Sequence, residues 1–548
     1  MLQKVVSTVR SLVSRKQTNI LSAAAIIMAT VFASRTLGLV RDRLLSGRFT
    51  ADELGVYFAS FRVPSLIFEV LVIGTVSTAF IPVFSKYLTT HRKKEAFHIA
   101  SSVINLASLM LLILLIPLLI FTKPITQALA PGFSEPEVEQ MMFFTRVLLV
   151  AQVLPLLFGN FMTAILQSYK HFLLPAFAPI VYNLGTILGI IFFSPYLGLF
   201  GVVLGVVLGA VFFLAIQIPQ ITSLGYKHIF SFDFHNLGVR KIFKLAGPRT
   251  LSLGIAQIDS TIDLVLASLI GASSITVFTF AQHLQQVPVG LFGLAIAQAT
   301  LPTLSQSRNS SKFKEIFLAS WHQVLFLVLP VSAILVILRI PAVRLVFGAD
   351  LFDWDATVLT GMTLSFFAVS LFAQASVHLL IRAFFSLQNS KIPVTTSTIA
   401  VLINSGLSIY FIQVLHLPIW SLGLSASIGA VVNFTLLIYL LNKKVKSFNK
   451  YQLFVPPLKM AIATFAMIIF LQIPKKLLDQ LVFDTTRTLE LFLFTITVAL
   501  IGLLAYAFMS WILNIKEVLT YYDLLKRVIK VRDLVIDTGT EVSGEDTP

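Results

Sequence analysis

Three groups of charged residues stand inside segments that are otherwise apolar, and each implies a chemistry. Ser34–Asp42, SRTLGLVRD, carries Arg35, Arg41 and Asp42. Guanidinium groups bind oxyanions such as phosphate through charge-assisted, often bidentate hydrogen bonds that lysine does not match. Arg35 and Asp42 are seven apart and share a helix face, with Gly38 between them to allow close approach, while Arg41 is turned about 100° from Asp42. FRVP at Phe61–Pro64 adds Arg62, with Glu69 seven residues on; Pro64 is expected to kink the span. Arg62 either contacts an anionic ligand or locks two helices by pairing with Glu69 or Asp42. QIDSTIDLVLAS places Asp259 and Asp263 four apart on one face. Two carboxylates facing one cavity, helped by an amide oxygen such as that of Asn404, either hold a sodium ion or a proton or pair with Arg249 or Arg382. His283, in FAQHLQQVP, is either a hydrogen-bonded packing residue or a proton carrier. With Glu69 it is a candidate for the cavity or its gate.

The elements that must position these groups are membrane helices. The chain has 548 residues, 57% hydrophobic and 12% charged, with a mean hydropathy of +0.89. A soluble protein cannot hide that much apolar surface. The runs are helix-length without strand-like alternation, so the fold class is all-α, a polytopic membrane protein. Fourteen spans are placed at roughly 20–45, 54–81, 97–121, 140–165, 172–193, 197–221, 242–270, 276–301, 315–340, 357–387, 392–415, 419–441, 456–473 and 489–513, each near the ~20 residues that a bilayer requires. Ionised groups within such spans cost about 2.5–3.5 kcal/mol each on insertion scales and usually face a water-filled path or a partner.

Loop charge gives the orientation. Lys86 and Arg92–Lys94, Lys170, Lys227 and Arg240–Lys244, Lys312 and Lys314, Lys391, and Lys443–Lys450 fall in alternate loops. The intervening loops are short or acidic, as at Glu135, Glu137, Asp353 and Asp355; the loop at Lys475 and Lys476 fits least well. Both termini are therefore expected in the cytoplasm. Topology also accounts for the net charge of +16. No basic module with interleaved aromatics lies outside the spans, so nucleic acid is not an expected partner. Cysteine is absent, which excludes disulfides and thiol chemistry.

Short matches recur in order. RTLGL at Arg35 returns as RTLSL at Arg249, AFIPVFS at Ala79 as ATLPTLS at Ala299, and LGL followed by GAV at Leu197 and Gly209 returns at Leu422 and Gly429. The offsets lie between 214 and 225. An even number of helices per copy makes the repeats parallel, the mark of transporters that rock around a central site. The expected organisation is a basic segment at 1–19, an N-lobe of six helices at 20–222, a linker at 223–241, a C-lobe of six helices at 242–442, two further helices at 456–513, and an amphipathic then disordered tail at 514–548. RTLSL has no evident counterpart to Arg41–Asp42, so the anion site is assigned to the first lobe. Gly198–Gly209 is read as a close helix contact. No Walker loop, HExxH, GxSxG or metal cluster is present, which favours transport over catalysis.

SRTLGLVRD, FASFRVPS at Phe58–Ser65, STAFIPVFSKY at Ser77–Tyr87, VPVGLFGLAIAQATLPTLS at Val287–Ser305 and LLIRAFFSLQNSKIP at Leu379–Pro393 together resemble the MurJ/MviN family of lipid II flippases, in the multidrug/oligosaccharidyl-lipid/polysaccharide exporter superfamily. The resemblance covers nearly the whole chain. It implies fourteen helices in a bacterial inner membrane and transfer of undecaprenyl-pyrophosphate-linked disaccharide-peptide to the outer leaflet for cell wall synthesis. It implies that Arg35 and Arg41, with Arg62, grip the pyrophosphate, with Asp42 as their orienting partner. It implies membrane lipids as the other partner, a monomer, no cofactor, and coupling to a sodium ion or to the membrane potential. Asp263, with Asp259 and Asn404, resembles a sodium site of some members, with Ser408 standing where a further acidic ligand occurs. Other departures are Gly55 and Ile73 where the family often has an acidic residue, and Phe68 and His283 where it has arginine. The rival readings are a polysaccharide-lipid or multidrug exporter of the same superfamily and a non-transporting membrane scaffold.

Overall fold

The computed structural model describes residues 20–73, 79–307, 310–348 and 351–521. The expected segment 1–19 and most of the tail, from 522 on, lie outside them. Among the described residues the secondary structure is helical and no strand occurs. Where described, the expected spans are mostly helical. Ten helices are long and apolar enough to cross a membrane, or eleven if the bent pair Trp354–Val369 and Leu371–Ser386 counts as one. The amphipathic start of the tail is helical at 516–521.

Two compact units divide the described residues. One takes those within Met1–Val287, Val346–Phe366 and Ser397–Gly429, the other those within Pro288–Leu345, Phe367–Thr396 and Ala430–Pro548. This division differs from the lobe boundaries expected at 222 and 242. The long Leu237–Ile270 helix stays with the first unit because its Gln257 and Thr261 bond to Arg62. In the first unit Phe80, Phe84 and Phe161 pack at the centre of an apolar core. In the second unit Phe317, Phe384 and Phe494 are fully buried in another.

Lipid tails are as apolar as leucine, so helices in a bilayer associate through close packing rather than water exclusion. A Cβ on Gly185 would lie 2.3 Å from the Gly209 Cα, and one on Gly189 would lie 2.4 Å from the Gly205 Cα. The Leu173–Leu188 and Leu199–Ala215 helices thus touch backbone to backbone, as the glycine pattern predicted. Ile113, Ile116 and Ile120, on the Lys93–Ile120 helix, are left exposed as a lipid-facing surface.

Among the π-helical stretches of the described residues are Phe68–Ile73, Gly189–Phe193, Val289–Leu294 and Tyr410–Val414. They form two pairs, each member 221 positions from its mate. A π turn is a rare backbone defect. Its recurrence at one offset is a structural counterpart of the repeat read in the sequence, and it fixes the register between the two copies.

Candidate functional site

The candidate site is built within the first unit from the Ile20–Ser46 helix, the broken helix after it, and the Leu173–Leu188, Leu237–Ile270 and Ala272–Pro288 helices. Thr50 starts the broken helix with a capping box to Glu53. The helix Ala51–Ser60 then stops at Phe61. Pro64 has no N–H to offer the Ser60 carbonyl, and the Thr145 hydroxyl donates to that carbonyl instead, at 3.1 Å. The chain resumes as Arg62–Ile67 and passes into the π turn. This break aims Arg62 at the Leu237–Ile270 helix.

Asp42 is the centre. It is 1% exposed. Its Oδ1 accepts from Arg41 Nε at 3.0 Å and Nη2 at 2.7 Å. Its Oδ2 accepts from His283 Nδ1 at 2.7 Å, which places a proton on that nitrogen when the carboxylate is ionised. Arg41 thus folds back onto its neighbour despite the 100° between their Cα directions, because three methylenes let the guanidinium swing round. Arg41 Nη1 also donates to Asn183 Oδ1 at 3.3 Å, and Asn183 Nδ2 donates to the Ser34 carbonyl.

Two cavities adjoin this cluster. One of about 530 Å³ is lined by Arg35, Arg41, Asp42, Asn183, His283 and Gln286 among others. The second, of about 480 Å³, has Arg41, Tyr57, Arg62, Glu69, Thr186 and His283 in its wall. Arg41 and His283 line both. Each wall carries two arginines against one carboxylate and no lysine. Arg35 is exposed there, held by one bond to Gln286 at 3.0 Å. Gly38 has open space beside it and lines the cavity rather than admitting a neighbouring helix.

Arg62 donates to Thr261 Oγ1 at 3.0 and 2.7 Å and to the Gln257 carbonyl. Gln257 in turn donates to Glu69. Neither of the direct pairs considered for Arg62, with Glu69 or with Asp42, is present among the described residues; Gln257 bridges Arg62 and Glu69. Arg62 interacts electrostatically with Glu69 and with Asp263. Asp259 Oδ1 accepts from Asn404 Nδ2 at 2.9 Å and from Ser405 Oγ at 3.1 Å. Asp263 is buried, and its Oδ1 and the Oδ1 of Asn404 have no hydrogen-bond partner. Two such buried oxygens, one from a carboxyl group, are of the kind that a hard cation such as sodium takes.

The 221-residue register corrects one expectation. Asp42 does have a counterpart in the second copy: Asp263. In the same register Arg62 matches His283 and Asn183 matches Asn404, while Ile262 stands at the position of Arg41. The RTLSL match, at a shorter offset, concealed this. Sequence reading also missed Asn183, Gln257, Thr261 and Gln286. The available signal for Asn183 was an amide inside an apolar span; for Gln257 and Thr261 it was their own spacing of four, which puts two polar groups on one helix face.

The departure at Gly55 has a steric reason. A Cβ there would lie 1.9 Å from the Ala272 carbonyl oxygen. Any side chain, acidic or not, would push the Ala51–Ser60 helix off the start of its counterpart, Ala272–Pro288. Thr276 fastens that contact through the Ala51 carbonyl at 2.6 Å. Phe68 opens the π turn and Ile73 closes it.

The family profile described as lipid II flippase MurJ matches residues 49–515. A probable lipid II flippase MurJ of Buchnera aphidicola subsp. Acyrthosiphon pisum (strain APS) is 29% identical over 462 residues, covering 83% of this chain and 90% of the relative. The lipid II flippase MurJ of Burkholderia cenocepacia is 24% identical over 438 residues, 78% of this chain and 84% of its own. A solved structure of lipid II flippase MurJ in an inward closed conformation superimposes with a TM-score of 0.76 at 24% identity, over 91% of this chain and all of the other. An inward-facing multidrug resistance transporter of the MATE family gives 0.62 at 16% identity, over 77% and 98%; that likeness is one of fold. The profile spans the cavity-building helices that follow Ile20–Ser46, and on it this multi-pass membrane protein belongs to the lipid II flippase MurJ family.

Proposed function

We propose that this chain carries lipid II, the undecaprenyl-pyrophosphate-linked disaccharide-peptide, from the inner to the outer leaflet of the bacterial plasma membrane by alternating access. Peptidoglycan synthesis consumes that substrate. The observation that carries the reading is the pair of adjoining cavities whose walls each present two arginines against one carboxylate, with no lysine. A pyrophosphate needs planar, multidentate donors, which guanidinium supplies. Asp42 holds Arg41 in place from a buried position, and Arg35 and Arg62 face the headgroup from the two sides. The prenyl tail stays in lipid. A cation-drug exporter of the same superfamily should favour carboxylates over arginines in these walls. The basic loops set both termini in the cytoplasm, and the protein acts as a monomer and a transporter rather than an enzyme.

The test is to deplete a host of its own flippase, express this protein, and follow lipid II in the outer leaflet. The expected result is rescue by the wild type and loss of rescue in Arg35→Ala and Arg41→Ala. No rescue, or rescue equal in Arg35→Ala, overturns the proposal.

Asp263 and Asn404, supported by Asp259, are the residues that would hold a sodium ion, with the membrane potential as the other energy source. When bound, the ion would neutralise the buried carboxylate. Replacing choline chloride by sodium chloride should raise the apparent Tm of the purified wild type but not of Asp263→Asn. An equal response in both overturns the ion site and leaves the headgroup reading standing.

A further inference from the structure

Outside the cavities, the segment joining Ile218–Ser223 to Leu237–Ile270 has an organisation that transport of a headgroup does not use. Residues 226–233 are not helical. They are tied along the first turns of the Lys93–Ile120 helix. Tyr226 Oη lies 3.0 Å from Ser101 Oγ and 3.1 Å from His228 Nδ1. His228 Nε2 lies 2.8 Å from Asn105 Oδ1. Asn105 Nδ2 donates to the carbonyls of Ile229 and Ser231, each at 2.9 Å. Asp233 Oδ2 sits 3.2 Å from His98 Nε2, while its Oδ1 accepts the backbone N–H groups of His235 and Asn236. Asn236 then caps the next helix through Gly238.

The side-chain anchors at the far end, Ser231, whose Oγ accepts from Ser102 Oγ at 3.2 Å, and Asp233, are odd-numbered residues. Extended backbone sends alternate side chains to opposite faces. Past Ile229, Phe230 and Phe232 therefore point away from the helix, 84% and 42% exposed, and Phe234 in the turn that follows is 57% exposed. Leu237 continues the ridge at 78%. Phe230 and Phe232 meet edge to face with centroids 5.4 Å apart, so the ridge is contiguous. Contiguous exposed aromatics of this kind mark an interaction surface.

The surroundings identify the occupant. The helix that holds the strap is polar on His98, Ser101, Ser102 and Asn105 and wholly apolar from Leu109 to Leu119 apart from Pro117. Its polar turns thus mark the headgroup level of a span, and the strap is tied at that level. Lys227, Arg240, Lys241 and Lys244 are exposed beside the ridge, whereas its one acid, Asp233, is bonded to His98. Aromatic groups next to uncompensated cations, at the depth where a helix enters the bilayer, suit an anionic lipid surface.

We propose that residues 229–237 form an interfacial anchor, with Phe230, Phe232 and Phe234 inserted at the headgroup–acyl boundary of anionic lipids. The polar edge stays tied to the Lys93–Ile120 helix, and the neighbouring cations hold lipid phosphates. The inference rests on the membrane-spanning fold and not on the identity of the transported molecule.

The absence of cysteine from the chain makes a clean test available. Single cysteines replacing Phe230, Phe232, Phe234 and His235 are labelled with a nitroxide, and the full-length protein is reconstituted into phosphatidylethanolamine–phosphatidylglycerol vesicles. Collision with oxygen, relative to a water-soluble nickel chelate, should be about threefold or more higher at the three phenylalanine positions than at His235. Nickel accessibility equal to that at His235 overturns the proposal and leaves the ridge to a soluble partner. In phosphatidylcholine vesicles the label at Phe230 should sit closer to water. An unchanged depth there overturns the part given to the basic residues.

Discussion

Asp42→Asn is the most informative single change, because one carboxylate holds two cavity residues. Wild-type Asp42 is 1% exposed and accepts three hydrogen bonds, two from Arg41 and one from His283. The substitution keeps the volume but removes the charge, leaving the Arg41 guanidinium without its counterion. Breaking a buried ion pair on one side costs about 3–5 kcal/mol. Arg41 keeps its bond to Asn183 and borders two cavities where water can reach it, so the lower end, about 3 kcal/mol, is expected. The assay is unfolding of detergent-purified protein, read as apparent Tm, beside outer-leaflet lipid II in depleted cells. The double variant Arg41→Gln with Asp42→Asn removes both charges and should recover most of the lost stability, though not transport. A single variant within about 0.5 kcal/mol of wild type, or a double variant less stable than the single, refutes the claim that a buried ion pair organises this site.

Other outcomes follow from neighbouring geometry. Arg35→Ala removes one exposed bond to Gln286, so stability should change by less than about 0.5 kcal/mol. Transport should nevertheless fall about ten- to a hundredfold, the worth of a charge-assisted bond to the substrate; unfolding and transport measured together separate the two effects. Gly55→Ala drives a Cβ into the Ala272 carbonyl and should cost about 1–3 kcal/mol by overpacking, seen as a lowered apparent Tm with the arginines untouched. Acidification should loosen the interfacial strap. Desolvation holds the His228 imidazole below its ordinary value, and the His98 hydrogen bond holds the Asp233 carboxyl below its own. Both depressed groups give their contribution at higher pH and lose it as pH falls. Amide exchange at Ile229–Asn236, corrected for its intrinsic rate, should therefore quicken below about pH 6.5 and again in the carboxylate range; protection constant down to pH 4 counts against the strap.

Much of the fold was legible because a membrane imposes a simple code. Apolar runs of fixed length, basic alternate loops and a recurring pattern marked an all-α membrane protein, and the described residues of those runs are mostly helical. Arg35, Arg41 and Arg62 were legible as cavity residues because charge inside an apolar span has few other uses. What joins them was not. Gln257, which bridges Arg62 to Glu69, is an ordinary amide in sequence. The break at Phe61 could be expected from Pro64, but the Thr145 hydroxyl that satisfies the freed carbonyl comes from a helix eighty-five residues away. Gly55 read as a missing acid, whereas its role is to let two backbones touch. Such facts depend on the distance between helices, which no local pattern encodes.

The 221-residue register turns these contacts into one arrangement. Asp42 and Asp263 are equivalent positions, as are Arg62 and His283. In the structure the acid of the first copy bonds to the base of the second, Asp42 to His283. The acid of the second copy interacts with the base of the first, Asp263 with Arg62. Exchanging the copies maps one relation onto the other. The copies differ at the adjacent position, where the first has Arg41 and the second Ile262. Arg41 satisfies Asp42 Oδ1, whereas Asp263 Oδ1 has no hydrogen-bond partner. One difference beside a shared carboxylate position therefore separates a cluster that presents a guanidinium from one that leaves a carboxyl oxygen without a hydrogen-bond partner.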